Sequence, residues 1–215
     1  MATSRRTGAT EAPSAPLRRR GPVLERAILE AALELLGTVG WSGFTMEGVA
    51  AGAQTGKAAV YRRWPSKEDL VADALEAGLP PLDQDADQGG VREDLFHVCR
   101  RVRDAMFSRT GVALRSVLHE CDAVAAERFQ GLIVNRVVEP SKELFRAVVR
   151  RGVSRGDVRP DAACELVLDV IPGLLMYRSK VCGSEWPDTD IAQMIDQVMV
   201  PLLRPHSCRP IDGGS

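Results

Sequence analysis

Aromatic residues make up only 5% of this 215-residue chain, and cysteine is both sparse and badly spaced. The five thiols, Cys99, Cys121, Cys164, Cys182 and Cys208, are an odd set without a CxxC pair. That spacing argues against a disulfide framework or a zinc site and leaves buried structural thiols as the plain reading, with redox sensing as its rival. His97, His119 and His206 stand apart, and His119-Glu120 has no second histidine at position 123, so no metal and no cofactor are expected. No apolar run approaches the roughly 20 residues that span a bilayer. The most apolar helical stretch, Ala27 to Val39, is interrupted by Glu30 and Glu34, and the N-terminus lacks the charged-then-apolar order of a signal peptide. A soluble, cytoplasmic protein without a membrane partner is expected. No stretch alternates with strand period, no repeat is evident, and no Ser/His/Asp grouping, paired carboxylate or Cys/His arrangement suggests catalysis. With hydrophobic residues at 45%, the chain reads as globular and all-α.

Net charge is small overall, at −1, but the charges are unevenly placed. Residues 1–67 hold ten basic groups against five acids, leaving the remainder at −6, so one end favours phosphates and the other does not. Residues 1–21, rich in Ala, Ser, Thr, Pro and Arg, read as a disordered basic arm. Leu24, Ile28, Ala31, Leu35 and Val39 recur at helical spacing, which predicts a first helix over Val23–Thr38, ended by Gly40-Trp41-Ser42-Gly43. Thr45 is placed to cap a second helix, Met46–Ala53, with Phe44 packing on Val49 as a hydrophobic staple. Gln54-Thr55-Gly56 forms the turn, and a third helix, Lys57–Arg63, stops before Pro65. Ser66 caps a fourth helix that ends near Ala77. The domain ranges that follow are 22–78 for this unit, 79–90 for an acidic linker, 91–204 for a larger helical domain and 205–215 for a flexible tail. In the larger domain helices are expected over Val91–Ser108, Gly111–His119 and Ala123–Arg151, the last kinked at Pro140. After a turn-rich break at Gly152–Pro160, Asp161 caps a helix to Lys180, bent at Pro172-Gly173, and a final helix covers Asp188–Leu203.

Residues Thr45 to Leu70 carry the function. A short helix that is slim at its start (Ala58, Ala59) and basic along one side (Lys57, Arg62, Arg63) suits a DNA major groove, provided that something holds it rigidly and something grips phosphates on either side. Val49, Val60 and Trp64 have the spacing for the small core behind it. Thr45 sits at a helix start where a phosphate can be met, and Tyr61 and Lys67 are phosphate anchors. Gln54, Thr55, Lys57, Ala58 and Ala59 are best placed for base edges, lysine favouring guanine and alanine the thymine methyl. The plainer reading, that the basic residues merely solvate a surface helix, loses to their combination with the turn, the caps and the Tyr-x-x-Trp spacing. Two decoys fail. Gly52-Ala-Gln-Thr-Gly56-Lys57 has its glycines one residue too close for a phosphate-binding loop and follows a helix, and Gly40-Trp41-Ser42-Gly43 lacks the pattern of a nucleophile elbow.

The segments Gly-x-x-Gly-Phe-Thr (40–45) and Tyr-Arg-Arg-Trp-Pro-Ser-Lys-Glu-x-Leu (61–70) resemble the N-terminal domain of the TetR (tetracycline-repressor) family, over about residues 23–75. The resemblance implies a three-helix helix-turn-helix DNA-binding domain followed by a larger helical ligand-binding and dimerisation domain. It also implies a homodimer on a double-stranded DNA operator, a four-helix interface from the last two helices, and a small-molecule effector held among the middle helices. Cys99, Val102, Met106, Leu118, Cys121, Phe129, Ile133, Leu168, Ile171 and Leu175, together with Tyr177, are candidates for the effector pocket, against an ordinary bundle core. Leu174, Ile191, Met194, Ile195, Val198 and Leu202 are candidates for the dimer interface, against packing on their own domain. Arg103, Arg115 and Arg178 are candidate contacts for an anionic effector, against pairing at the surface. One departure stands out: the family carries glycine in the turn where this chain has Gln54, so a strained turn and an altered operator are expected. A helical ligand-binding or scaffolding protein that has lost DNA binding is the alternative reading.

Overall fold

In the computed structural model the described residues are 21–82, 87–162 and 164–204. The proposed arm, save Gly21, the tail and part of the linker therefore lie outside the described residues. Every regular element among them is helical. They are α1 (Pro22–Gly43), α2 (Met46–Gly52), α3 (Lys57–Tyr61), α4 (Lys67–Gly78), α5 (Val91–Phe107), α6 (Arg109–Glu120), α7 (Ala123–Ile133), α8 (Glu139–Arg155), α9 (Glu165–Val181), α10 (Asp188–Met194) and α11 (Val200–Leu203).

Local chemistry sets most of these boundaries. α1 is broken at Gly40, whose φ of 68° only glycine adopts freely, and a Cβ there would come within 3.1 Å of the Glu120 carboxylate. Thr45 Oγ1 accepts from Gly48 N at 3.1 Å, and Ser66 Oγ accepts from Asp69 N at 3.1 Å, each cap contributing about 1 kcal/mol. A π-helical turn, Val134–Val138, joins α7 to α8, and a second, Ile195–Met199, joins α10 to α11. Each lies just before a helix that carries a proline in its first turn, Pro140 and Pro201. A proline ring displaces the carbonyl four residues earlier, and a widened turn relieves that clash. The kink expected at Pro140 takes this form.

Several boundaries differ from expectation: α1 runs on through the Gly40 break to Gly43 and α3 ends at Tyr61. α8 continues through Gly152 to Arg155 and is ended by Gly156 in the left-handed region, φ 86°. Asp161 caps no long helix: its carboxylate is held by Arg159 at 2.5 Å, residues Pro160–Ala162 form a 3₁₀ turn, and α9 starts only at Glu165.

The first core extends across the linker into the larger domain. One buried cluster unites α1–α4 (Ile28, Val49, Val60, Trp64, Leu70, Leu75) with Leu114 and Val117 of α6 and Phe129 of α7. A four-helix unit of under 60 residues buries too little surface alone, so it borrows two helices of the larger domain. Gly78 makes the approach close, since a Cβ there would meet Leu33 at 2.6 Å and Thr110 at 2.7 Å. The second cluster packs α5, α8 and α9 around Cys99, Phe145 and Ile171 and includes Ile191 and Ile195 of the last helices. Leu79 enters the first cluster and Leu82 the second, so the linker is anchored in both.

Candidate DNA-binding face and effector cavity

Val49, Val60 and Trp64 are buried together behind α3, and Trp64 Nε1 donates to Asp73 of α4 at 2.7 Å. The turn between α2 and α3 is a Schellman motif. Thr55 N donates to Ala50 O at 2.9 Å and Gln54 N to Ala51 O at 3.0 Å, with Gln54 at φ 54°. Gln54 therefore occupies the left-handed position that the sequence anticipated.

Thr45, Gln54, Lys57, Ala58, Tyr61 and Arg62 are exposed on one side of the α2–α3 unit, with Thr55 and Ala59 half-buried. Glu47, which the sequence did not single out, organises that side. Its carboxylate takes Lys57 Nζ at 3.3 Å and the Tyr61 hydroxyl at 3.3 Å. A hydrogen bond from its own backbone amide, then the Lys57 ammonium, hold its carboxyl below the usual carboxylate range. Arg63 is half-buried, with Nη1 donating to Ala59 O at 3.2 Å. Lys67 turns inward: its ammonium lies 3.9 Å from the centre of the Trp41 ring and donates to Trp41 O at 3.3 Å. That cation–π contact ties the start of α4 to the end of α1.

Several contacts bolt the face to the larger domain, among them Arg136 on the Glu76 backbone carbonyl at 3.5 Å. Trp41 meets Phe129 edge-on, ring centres 5.4 Å apart and planes at 81°. Glu120, at the end of α6, accepts from Ser42 N at 3.2 Å and Ser42 Oγ at 3.3 Å. Arg128 of α7 pairs with Asp69 of α4 at 2.6 Å.

Between α5, α6, α8 and α9 lies a cavity of about 130 Å³. Of the candidate pocket residues, Val102, Met106, Leu118, Ile133 and Leu175 line it. The others do not. Cys99, Leu168 and Ile171 belong to the second core, Phe129 packs against Trp41, Cys121 is half-buried at the end of α6, and Tyr177 is exposed. Burial alone pushes the Cys99 thiol up to about 12, as befits an inert core group. Helical periodicity marks which face of α7 and α9 is apolar but not which neighbour that face meets, and so the core residues and the wall residues look alike in sequence. Arg103 and Arg178 pair with carboxylates, Arg103 with Asp188 at 2.5 Å and Arg178 with Asp190 at 3.1 Å. Arg115 lines the cavity instead.

The candidate interface residues divide in the same way. Ile191, Met194 and Ile195 are buried within the subunit, which favours packing on their own domain over the dimer interface for these three. Val198 and Leu202 remain 39% and 37% exposed and Leu174 is half-buried. The apolar face that α9 turns outward carries Leu166, Tyr177 and Val181, at 82%, 57% and 66% exposure.

The model of the tetR family of bacterial regulatory proteins matches residues 28–74, and the tetracyclin repressor-like C-terminal domain model matches residues 85–198. This chain belongs to the TetR family. A DNA-binding transcriptional repressor TetR of Mycobacteroides abscessus is 31% identical over 191 residues, covering 86% of this chain and 97% of that protein. An uncharacterized HTH-type transcriptional regulator of Mycobacterium tuberculosis is 30% identical over 183 residues, covering 83% and 87%. Among solved structures, a TetR transcriptional regulator from Agrobacterium tumefaciens has the same fold, with a TM-score of 0.60, 18% identity and coverage of 87% and 97%. Members of the family bind DNA as homodimers and respond to small-molecule effectors. Among the described residues no helix is long and apolar enough to cross a membrane, and no group of three or more His, Cys, Asp or Glu could hold a metal ion.

Proposed function

We propose that the protein is a homodimeric transcriptional repressor that occupies a palindromic operator until a small molecule enters the cavity between α5, α6, α8 and α9. The observation that carries this reading is the double duty of α6. Leu114, Arg115 and Leu118 of that helix line the cavity, while Ala113, Leu114 and Val117 are buried in the core of the DNA-binding unit and Glu120 grips Ser42. A ligand that shifts α6 must therefore shift α1 and, through the Trp64-Pro65 hinge and α4, the angle of α3. The effector then acts by population shift, favouring an arrangement whose two recognition helices no longer match groove spacing.

In this reading the start of α3 enters the major groove with Lys57 and Ala58 at base edges, while Thr45, Tyr61 and Arg62 meet phosphates. Lys57 exchanges its bond to Glu47 for DNA. Lys67 acts by holding α4 against Trp41 as much as by its charge. One five-residue recognition helix reads few base pairs, so two copies about 34 Å apart are needed for a usable site. The dimer forms through the outward face of α9 with Val198 and Leu202, which leaves Ile191, Met194 and Ile195 to the subunit core.

Operator selection tests the reading: the full-length protein is mixed with random duplex DNA at near-physiological salt and the retained fraction is sequenced. A palindrome with half-sites about one helical turn apart, whose retention is lost with Tyr61→Ala, is expected. Recovery of nothing above random, or of a single non-symmetric site, would overturn the proposal.

A further inference from the structure

We infer that the cavity takes a small organic anion, a carboxylate on a compact apolar body about the size of a benzene ring or a six-carbon chain. This rests on the reading of the cavity as the effector site and names the chemistry of its ligand.

The charge of the wall is one-sided. Arg115, His119 and Lys180 line the cavity, and no Asp or Glu does. Several other arginines of the same domain are matched, Arg103 with Asp188, Arg146 with Glu165 and Arg178 with Asp190. Arg115 is half-buried and, among the described residues, pairs with no carboxylate. It is held at the wall by a hydrogen bond from Nη1 to Met106 O and by stacking 4.9 Å from the centre of the Phe107 ring. Burial lowers its proton affinity from the ordinary value, with no acid to offset the loss. A guanidinium taken partly out of water without a counter-ion is costly, and an anionic ligand removes that cost. Its remaining N–H groups match one carboxylate in a two-bond pair. His119 follows Arg115 by four residues on α6, one turn along the same face, and both it and Lys180 are exposed, as groups at a rim should be.

Size sets the rest of the ligand. The volume of about 130 Å³ is close to that of an engineered apolar cavity of about 150 Å³ that admits benzene. Apart from the cations, the wall is nearly all hydrocarbon, from Val102, Leu114, Leu118, Val137 and Leu175. A cationic amine meets the like charges of Arg115 and Lys180, and a neutral hydrocarbon leaves Arg115 unpaired.

The test is calorimetric titration of the full-length protein with hexanoate, phenylacetate, hexanamide and hexylamine, followed by the effect of each on the affinity for the selected duplex. The carboxylates are expected to bind saturably and about tenfold or more tighter than the amide, with no heat from the amine. Arg115→Gln should remove that preference, and Arg115→Lys should keep part of it. Lys180→Gln changes only an exposed side chain and should weaken the carboxylates by about two- to threefold, so the charge claim remains testable if Arg115→Gln does not fold. Equal binding of hexanoate and hexanamide, or a preference unchanged in both Arg115→Gln and Lys180→Gln, would overturn the anionic assignment while leaving the cavity as a binding site. Absence of binding by both carboxylates would also overturn it. Failure of the underlying reading has a different signature: carboxylates bind with the stated preference, yet duplex affinity does not change.

Discussion

Gln54 offers a sharp physical test of the turn on which α3 depends. Its φ of 54° puts a side-chain-bearing residue in a region that costs an L-residue roughly 1–2 kcal/mol. Its side chain is exposed, so truncation sacrifices no core packing. Gln54→Gly should relieve the strain, offset by about 0.5–1 kcal/mol of extra chain entropy lost by glycine on folding. The net gain is about 0.5–1 kcal/mol, or roughly 2 °C in Tm for a chain near 200 residues. Gln54→Asn should fall between glycine and the wild type, because asparagine tolerates the left-handed region. Gln54→Val, β-branched, should lose about 1 kcal/mol or more. Thermal and urea unfolding of the four proteins at one pH measures the order. A glycine variant less stable than the wild type, or a valine variant equal to it, would refute the strain argument.

Other perturbations follow from the same geometry. Phe129→Ala removes a fully buried ring packed edge-on against Trp41 and should cost about 3–5 kcal/mol, with the near-ultraviolet signal of Trp41 lost before the helical signal during urea unfolding. Glu47→Gln frees Lys57 and Tyr61 and removes a negative charge from the DNA side, so operator affinity should rise about two- to fivefold; a fall would show that Glu47 chiefly orients its partners. The Asp69 carboxyl is held below its ordinary value of 3.8, first by the Ser66 hydroxyl and then by Arg128, so its contribution is present above pH 4 and is lost as pH falls through the lowered value. Asp69→Asn should accordingly lower the urea midpoint at pH 6, with a deficit that shrinks as pH falls below 4; an equal deficit in neutral and acid solution would contradict that linkage.

How far the sequence carries depends on the range of the interaction. Thr45 and Ser66 act within three residues of themselves, and both caps, the strained turn at Gln54 and the core of Val49, Val60 and Trp64 are legible in the sequence. Asp161 looked like another cap because its local pattern is the same, but Arg159 takes its carboxylate. Pairings across the fold were not legible. Arg103 and Asp188 are 85 residues apart and Ser42 and Glu120 are 78, and no spacing rule connects them. The role of Trp41, set by Phe129 of α7 and Lys67 of α4, is hidden for that reason, whereas Arg115 stands in the sequence beside Arg103 and Arg178 as a candidate contact for an anion and only the fold separates it from those two. The apolar stripe of Ile191, Met194 and Ile195 is legible as a stripe, but the choice between a second subunit and their own domain is not, because a hydrophobic face records that it is covered and not by what; within the subunit these three are buried.

The central claim is that the α2–α3 unit reads DNA sequence with the start of α3. Comparing the sequences retained from random duplex by the wild type and by Lys57→Ala tests it most directly, because that exposed side chain has no part in the core. The account predicts a palindrome for the wild type and, for the variant, the same palindrome relaxed at one base pair placed symmetrically in both half-sites. An unchanged consensus, or a uniform loss of affinity without any change of sequence preference, would contradict it.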